Sequence, residues 1–295
     1  MQDTALAAFE EVRPRLFGVA YRMMGSVTEA DDVLQDAWLR WQGTDRAAVD
    51  NPEAFLTTTV TRLSLNALTS ARATRETYIG SWLPEPVSTA DDPSLGADRA
   101  EALELAVVML LERLEPVERA AYVLREAFDY PYREIGEVLS VTEANARQLA
   151  HRARGHIGRR RAAAVDPVER NRILTAFVGA ATSGDLAALE SVLTEDVVSI
   201  SDGGGFVGAA RVPVVGRDRV ARFVAGTIAK FAPGSHPVLV EVNGRPAVLT
   251  VRDTEPDTLL SFEVGSDGIK RLLFVRNPHK LERLRTLIRP EGGSQ

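Results

Sequence analysis

The sequence predicts a multidomain chain: two all-α domains followed by an α+β domain. Three observations predict it. Apolar residues recur at helical spacing from the N-terminus to about residue 160, interrupted by a proline-rich stretch at 77–97. Alternating strand-like runs joined by turn dipeptides appear only in the last third. Between these patterns, Asp166–Pro167 has the form of a helix cap followed by a first-turn proline, so a new domain starts just past Val165. A length of 295 residues accommodates roughly two or three domains.

The first helix is expected over 4–24, burying Leu6, Phe9, Leu16, Phe17, Ala20 and Tyr21, with Gly25 placed to stop it. Thr28 is expected to cap the second helix, with Asp31 in the capping-box position. Its apolar stripe is Val33, Leu34, Ala37, Trp38 and Trp41. Pro52 opens a third helix carrying Phe55, Leu56, Val60, Leu63 and Leu68. The stretch YIGSWLPEPVSTADDPSLGAD then reads as a linker, because prolines, glycines and small polar residues cannot propagate a helix.

Helices resume over 98–160. Pro116 opens one that runs to about Phe128, and Tyr130–Pro131 breaks it. Residues 132–154, YREIGEVLSVTEANARQLAHRAR, are the most informative stretch. Two helices are joined by the short turn Ser140–Val141–Thr142, the form of a helix-turn-helix. Thr142 can cap the second helix, which buries Ala146, Leu149, Ala150, Ala153 and Ile157. That leaves Asn145, Arg147, Gln148, His151, Arg152 and Arg154 outside the stripe. Asn and Gln can pair with adenine and Arg with guanine, so these residues suit a major groove.

Charge supports that reading locally rather than globally. The whole chain is −6, yet residues 142–161 hold six arginines against Glu143 alone. Residues 1–70 hold six arginines against ten acids. A phosphate footprint needs local positive charge only. The absence of cysteine excludes disulfides and thiolate metal sites, and four scattered histidines give no metal spacing. No cofactor is expected. No 18-residue apolar run and no secretory leader are present, so no membrane association is expected and the cytoplasm is the default compartment.

In the last domain, helices are expected over 167–182, 185–193 and 217–231, and strands over 197–201, 237–243, 246–252, 258–264 and 269–276. Asn243–Gly244 and Asp267–Gly268 are hairpin signals that demand positive φ. Asp202, before Gly203, Gly204 and Gly205, reads most simply as turn chemistry, although a buried Asp beside a strand could also serve as a base.

EADDVLQDAWLRW (29–41) resembles the polymerase-binding helix of bacterial sigma factors, and LEPVERAAYVLREAFDYPYREIGEVLSVTEANARQLAHRAR (114–154) is similar to their region 4. Order and spacing resemble the extracytoplasmic-function (ECF) group. WLPEP (82–86), DGGG (202–205) and NPHKL (277–281) point to its members with a fused C-terminal SnoaL-like domain, NPHKL departing from the more usual NPDKL at His279.

The resemblance implies two all-α sigma domains, the second with a helix-turn-helix, followed by an α+β NTF2/SnoaL-like cone. The implied partition is 1–76, a linker over 77–98, 99–162 and 166–290. It implies a non-enzymatic protein whose partners are core RNA polymerase, through the β′ clamp and β flap, and promoter DNA. It also leaves room for a small ligand of the SnoaL-like domain. Asp31, Asp32, Gln35 and Asp36 fall in the polymerase-docking helix. Arg62, Asn66, Arg72 and Arg75 fall in the segment for the −10 element, Arg62 standing where many relatives have Asn. Thr142, Asn145, Arg147, Gln148, His151, Arg152 and Arg154 fall in the reader of the −35 element. Trp82, Pro84, Pro86, Asp202, Gly203, Gly204, Gly205, Asn277, Pro278 and Leu281 are expected to carry regulation between domains.

Two other readings stay open on the residues themselves. One is a helix-turn-helix activator or repressor with a ligand-sensing domain. The other is a SnoaL-like isomerase or cyclase with a DNA-binding appendage.

Overall fold

A computed structural model describes residues 2–89, 103–158, 165–231 and 233–288. They fall into two compact units: Met1–Thr77 with Thr89–Arg160, and Tyr78–Ser88 with Arg161–Gln295. The linker segment after Thr77 therefore belongs with the C-terminal unit.

In the first unit, α1 (Gln2–Met24) ends where Gly25, at φ +68°, returns its N–H to Tyr21 O at 2.7 Å. Leu16, Val19, Ala20, Tyr21 and Met23 are buried, but Leu6 is 46% exposed and is not part of the core expected for it. Ser26, not Thr28, caps α2 (Val27–Gln42). It has extended backbone and accepts from Glu29 N at 3.4 Å, while Thr28 already lies in the first turn. Trp41 is buried and donates its indole N–H to Ala5 O at 3.0 Å, which satisfies the polar tip of a large apolar group. Asn51 caps α3 (Pro52–Glu76), which ends where the proline-rich stretch begins.

All seven residues of α4 (Leu105–Leu111) are buried. Helix α5 (Pro116–Tyr122) widens into a π turn over Val123–Ala127 before Asp129, at φ +56°, ends the run. Then come α6 (Tyr132–Leu139) and α7 (Glu143–Gly158). Ser140 takes the left-handed conformation (φ 57°, ψ 42°) that closes α6. A Cβ on Gly136 would stand 2.7 Å from Val141 O, so only glycine lets the turn pass this close. Thr142 Oγ1 accepts from Asn145 N at 3.2 Å, and the α7 stripe of Ala146, Leu149, Ala150, Ala153 and Ile157 is buried.

The second unit begins with Asp166 capping α8 (Pro167–Ser183). Gly184, at φ +71°, separates it from α9 (Leu186–Val192). The sheet consists of β1 (Leu193–Asp202), β2 (Val214–Val215), β3 (Ser235–Val242), β4 (Arg245–Arg252), β5 (Glu255–Gly265) and β6 (Gly268–Val275), with α10 (Arg217–Phe231) between β2 and β3. Strand order is β2-β1-β6-β5-β4-β3. Only the β1–β6 pair is parallel, as the helices between β1 and the hairpin series require. Ile173, Leu174 and Phe177 of α8, Val220 and Val224 of α10, and Leu272 and Phe274 of β6 share one core. Each such side chain contributes about 1.5–3 kcal/mol on burial.

Asn243 and Gly244 both take positive φ, as the hairpin signal demands. At Asp267–Gly268 only Gly268 does (φ 129°), and a Cβ there would meet Val192 O at 2.8 Å. A third hairpin turns on Asp253 and Thr254, both at positive φ. Helix α11 (Pro278–Leu281) and the 3₁₀ turn Glu282–Leu287 complete the described chain and lie against β5.

Candidate functional site

Helix α2 buries Val33, Leu34, Ala37 and Trp41 inward, which turns Asp32, Gln35, Asp36 and Leu39 outward. Leu39 is 57% exposed in the middle of these acids. Asp31 sits at the edge of the face, half-buried and 3.9 Å from Arg13. Apolar surface and negative charge thus lie together on this face.

On α7, Thr142, Asn145, Gln148 and His151 are exposed. The arginines are held from the sides. Arg147 pairs with Glu143 at 3.0 Å and covers the Tyr132 ring, Arg152 pairs with Glu118 at 2.7 Å, and Arg154 pairs with Glu126. Glu126 holds the Arg154 guanidinium above its ordinary range. The arginines of the Arg152 and Arg154 pairs are half-exposed, whereas their partners Glu118 and Glu126 are largely buried.

On α3, Asn66 is exposed and the Arg72 side chain lies outside the described residues. Arg62 donates to Val138 O (3.0 Å), Glu137 O (3.2 Å) and Ser140 Oγ (3.1 Å). Arg75 pairs with Glu29 at 3.0 Å, with Glu112 and with Met24 O. In this conformation Arg75 ties helices together rather than facing outward.

The linker is where the sequence-based expectations converge. Asp202, at the end of β1, is completely buried. Its Oδ1 accepts from the Tyr78 hydroxyl at 2.6 Å and Gly204 N at 3.0 Å. Its Oδ2 accepts from Leu83 N at 2.9 Å and Lys280 Nζ at 2.8 Å. The plain turn reading of Asp202 is therefore corrected: the Gly204 bond is turn chemistry, but the other three partners are distant in sequence. Lys280 also donates to Leu83 O and lies over the Tyr78 and Trp82 rings, 5.0 and 4.4 Å from their centroids. Asn277 donates to the Tyr78 hydroxyl at 2.8 Å and caps α11 through His279 N. Burial, then Asp202, pushes the Tyr78 phenol above its usual range, against a smaller pull from Asn277.

Pro84 and Pro86 are buried along the same segment, as is Leu281 of α11, whereas Pro278 is exposed. A Cβ on Gly204 would stand 2.4 Å from Asn277 Nδ2, and one on Gly203 2.5 Å from Val207 O. Gly205, at φ +80°, admits Ile79. Farther on, Asn243 exchanges two bonds with Val87, 2.8 and 3.0 Å, so the segment is pinned at both ends. Tyr78, at the start of the proline-rich run, is committed here through its hydroxyl. Lys280 escaped notice although it sits inside NPHKL. His279 packs on Phe206 at 4.6 Å and His236 lies on β3, so they form no dyad. Among the described residues no cluster is placed to hold a metal ion, and no helix is long and apolar enough to cross a membrane.

Residues 8–74 match the family Sigma-70 region 2, and residues 104–157 match Sigma-70, region 4. The chain is 42% identical over 235 residues to the ECF RNA polymerase sigma factor SigJ of Mycobacterium tuberculosis, covering 78% of this chain and 75% of that one. This chain belongs to the ECF RNA polymerase sigma factors. As an ECF sigma factor it is also 32% identical over 292 residues to the probable ECF RNA polymerase sigma factor SigI of the same species, covering 96% of this chain and 97% of the relative. The crystal structure of SigJ superposes on this sigma factor with TM-score 0.77 and 35% identity, covering 94% of this chain and 98% of that one. The ECF sigma factor thus pairs helical sigma domains with a C-terminal mixed-sheet, SnoaL-like domain, and it acts in transcription initiation with core RNA polymerase and promoter DNA.

Proposed function

We propose that the SnoaL-like domain regulates the sigma factor in cis by holding the linker between the two sigma regions. The observation that carries this reading is the fourfold acceptance at Asp202, which joins Tyr78 and Leu83 of the linker to Lys280 of the C-terminal domain. In this reading the domain works as a regulator, and its completely buried Asp202 is already occupied by four donors. A linker that must extend while two helical domains sit on separate promoter elements cannot do so while bound along 78–88. The functional partition is 1–76, 77–98, 99–162 and 166–290.

In this reading Asp31, Asp32, Gln35 and Asp36 dock on the β′ clamp and the second sigma domain meets the β flap. Helix α3, with Arg62, Asn66, Arg72 and Arg75, serves the −10 element, and α7 reads the −35 element. The test is run-off transcription with purified core polymerase, comparing the full chain, a chain ended near Val165, and Asp202→Asn. Altered initiation in both variants supports the reading. Equal initiation by all three removes it.

A further inference from the structure

Arg62 occupies a seat that matches its chemistry closely. The last carbonyls of α6 carry the negative end of that helix's dipole, and Ser140 in its left-handed conformation turns its hydroxyl to the same side. The planar guanidinium reaches two of those carbonyls and the hydroxyl together. Neighbouring contacts are of the same polar kind. Thr57 of α3 meets the Tyr130 hydroxyl at 3.0 Å, and Arg15 of α1 donates to Phe128 O at 3.3 Å while covering the Phe128 and Tyr130 rings. At these positions the contacts are arginine, hydroxyl and carbonyl groups, which water and phosphate can replace one by one.

We infer that Arg62 is a two-position residue: in the free protein it staples α3 to the helix-turn-helix, and it leaves that seat when the chain engages DNA. The staple spends a cation of α3 on the turn that presents α7, so one contact restrains both surfaces. A phosphate is a better partner for guanidinium than two neutral carbonyls, so DNA binds the open form preferentially and shifts the equilibrium towards it. The restraint lies wholly within the helical unit and is separate from the Asp202 site. It rests on the proposed DNA-facing roles of α3 and α7.

The chain has no cysteine, so a labelled pair can be introduced cleanly. Ala47→Cys and Ala144→Cys are both exposed, one ahead of α3 and one at the start of α7. In the full-length labelled protein, pulsed dipolar spectroscopy is expected to give a narrow distance distribution. Arg62→Ala broadens and lengthens it. Ser140→Asp, which places a carboxylate beside Arg62, narrows it, and the Ser140→Asp effect vanishes in the Arg62→Ala background. Mixed-sequence duplex DNA, titrated by fluorescence anisotropy, binds Ser140→Asp about fourfold more weakly than the parent if the tightened staple cuts the open fraction about fourfold, and Ser140→Asp weakens binding far less in the Arg62→Ala background. An Arg62→Ala distribution that overlays the parent would overturn the staple. So would Ser140→Asp acting equally without Arg62. A Ser140→Asp distribution that narrows while DNA affinity stays unchanged would overturn the coupling to DNA alone, while run-off transcription judges the sigma-factor reading separately.

Discussion

The Lys280 ammonium and the Asp202 carboxylate meet at 2.8 Å, with the carboxylate wholly buried and the ammonium capped by the Trp82 ring. Such a pair contributes specificity more than net stability, because desolvation offsets most of its attraction. Removing one partner is another matter. Lys280→Met should destabilise the C-terminal unit by about 3 kcal/mol, because a buried carboxylate loses its counter-charge. Asp202→Asn combined with Lys280→Met should recover part of that loss. Urea unfolding followed by tryptophan fluorescence, together with limited proteolysis within 78–88, checks both.

Tyr78 should titrate abnormally late. Its raised pKa means the neutral phenol is favoured in the folded chain. The stability it contributes is fully present below an ordinary tyrosine pKa of about 10 and is lost as pH rises beyond that value towards the folded one. Phenolate absorbance of the parent and of Tyr78→Phe, recorded against pH, should show that the substitution removes an ionisation lying above the ordinary tyrosine range.

Gly204→Ala should loosen the same site by a different route. At φ +60° a side chain costs about 1–2 kcal/mol, and its Cβ would collide with the Asn277 amide. Asn277 must then turn away from Tyr78. Faster amide exchange at Leu83, measured by mass spectrometry, is the expected signature, with little change in α4–α7.

On α7, Gln148→Ala should cost about 1–3 kcal/mol on the preferred promoter and relax specificity there. Arg154→Ala should instead weaken all sequences similarly and lower the salt slope by about 1, because its side chain lies at the flank of the helix beside Glu126. Anisotropy titrations at several salt concentrations, on specific and scrambled duplexes, separate the two behaviours.

Asp32→Arg and Asp36→Arg reverse charge on the exposed face of α2 without touching its buried stripe. Thermal stability should move by less than about 0.5 kcal/mol, as for other surface substitutions. Affinity for core polymerase, measured by competition, should fall at least about tenfold for the pair.

Helical periodicity alone located the helices, because their apolar stripes are continuous and Gly25, Pro52, Pro116 and Asp166–Pro167 punctuate them. The finer errors have local causes. Ser26 and Thr28 are both good caps, and extended backbone at Ser26 decides between them. Leu6 fits the stripe by spacing yet lies outside the packed interior. Strand β2 is two residues long, too short for any period. The turn at Asp253–Thr254 lacks glycine, so its positive φ carried no compositional signal. At the candidate site, the motifs around Trp82, Asp202 and Asn277 were visible as short signatures. Their convergence on one carboxylate was not, because Tyr78 and Lys280 lie 124 and 78 residues from Asp202 and only the folded sheet brings them together.

Capture of Tyr78–Ser88 also shortens a leash. Unbound, Tyr78–Ser88 could extend to roughly 36 Å. Once that segment is fastened, Thr77 alone joins α3 to the anchored stretch. If the proposed function holds, the gap between two DNA sequences that one molecule can straddle depends on whether a single buried carboxylate keeps its four donors.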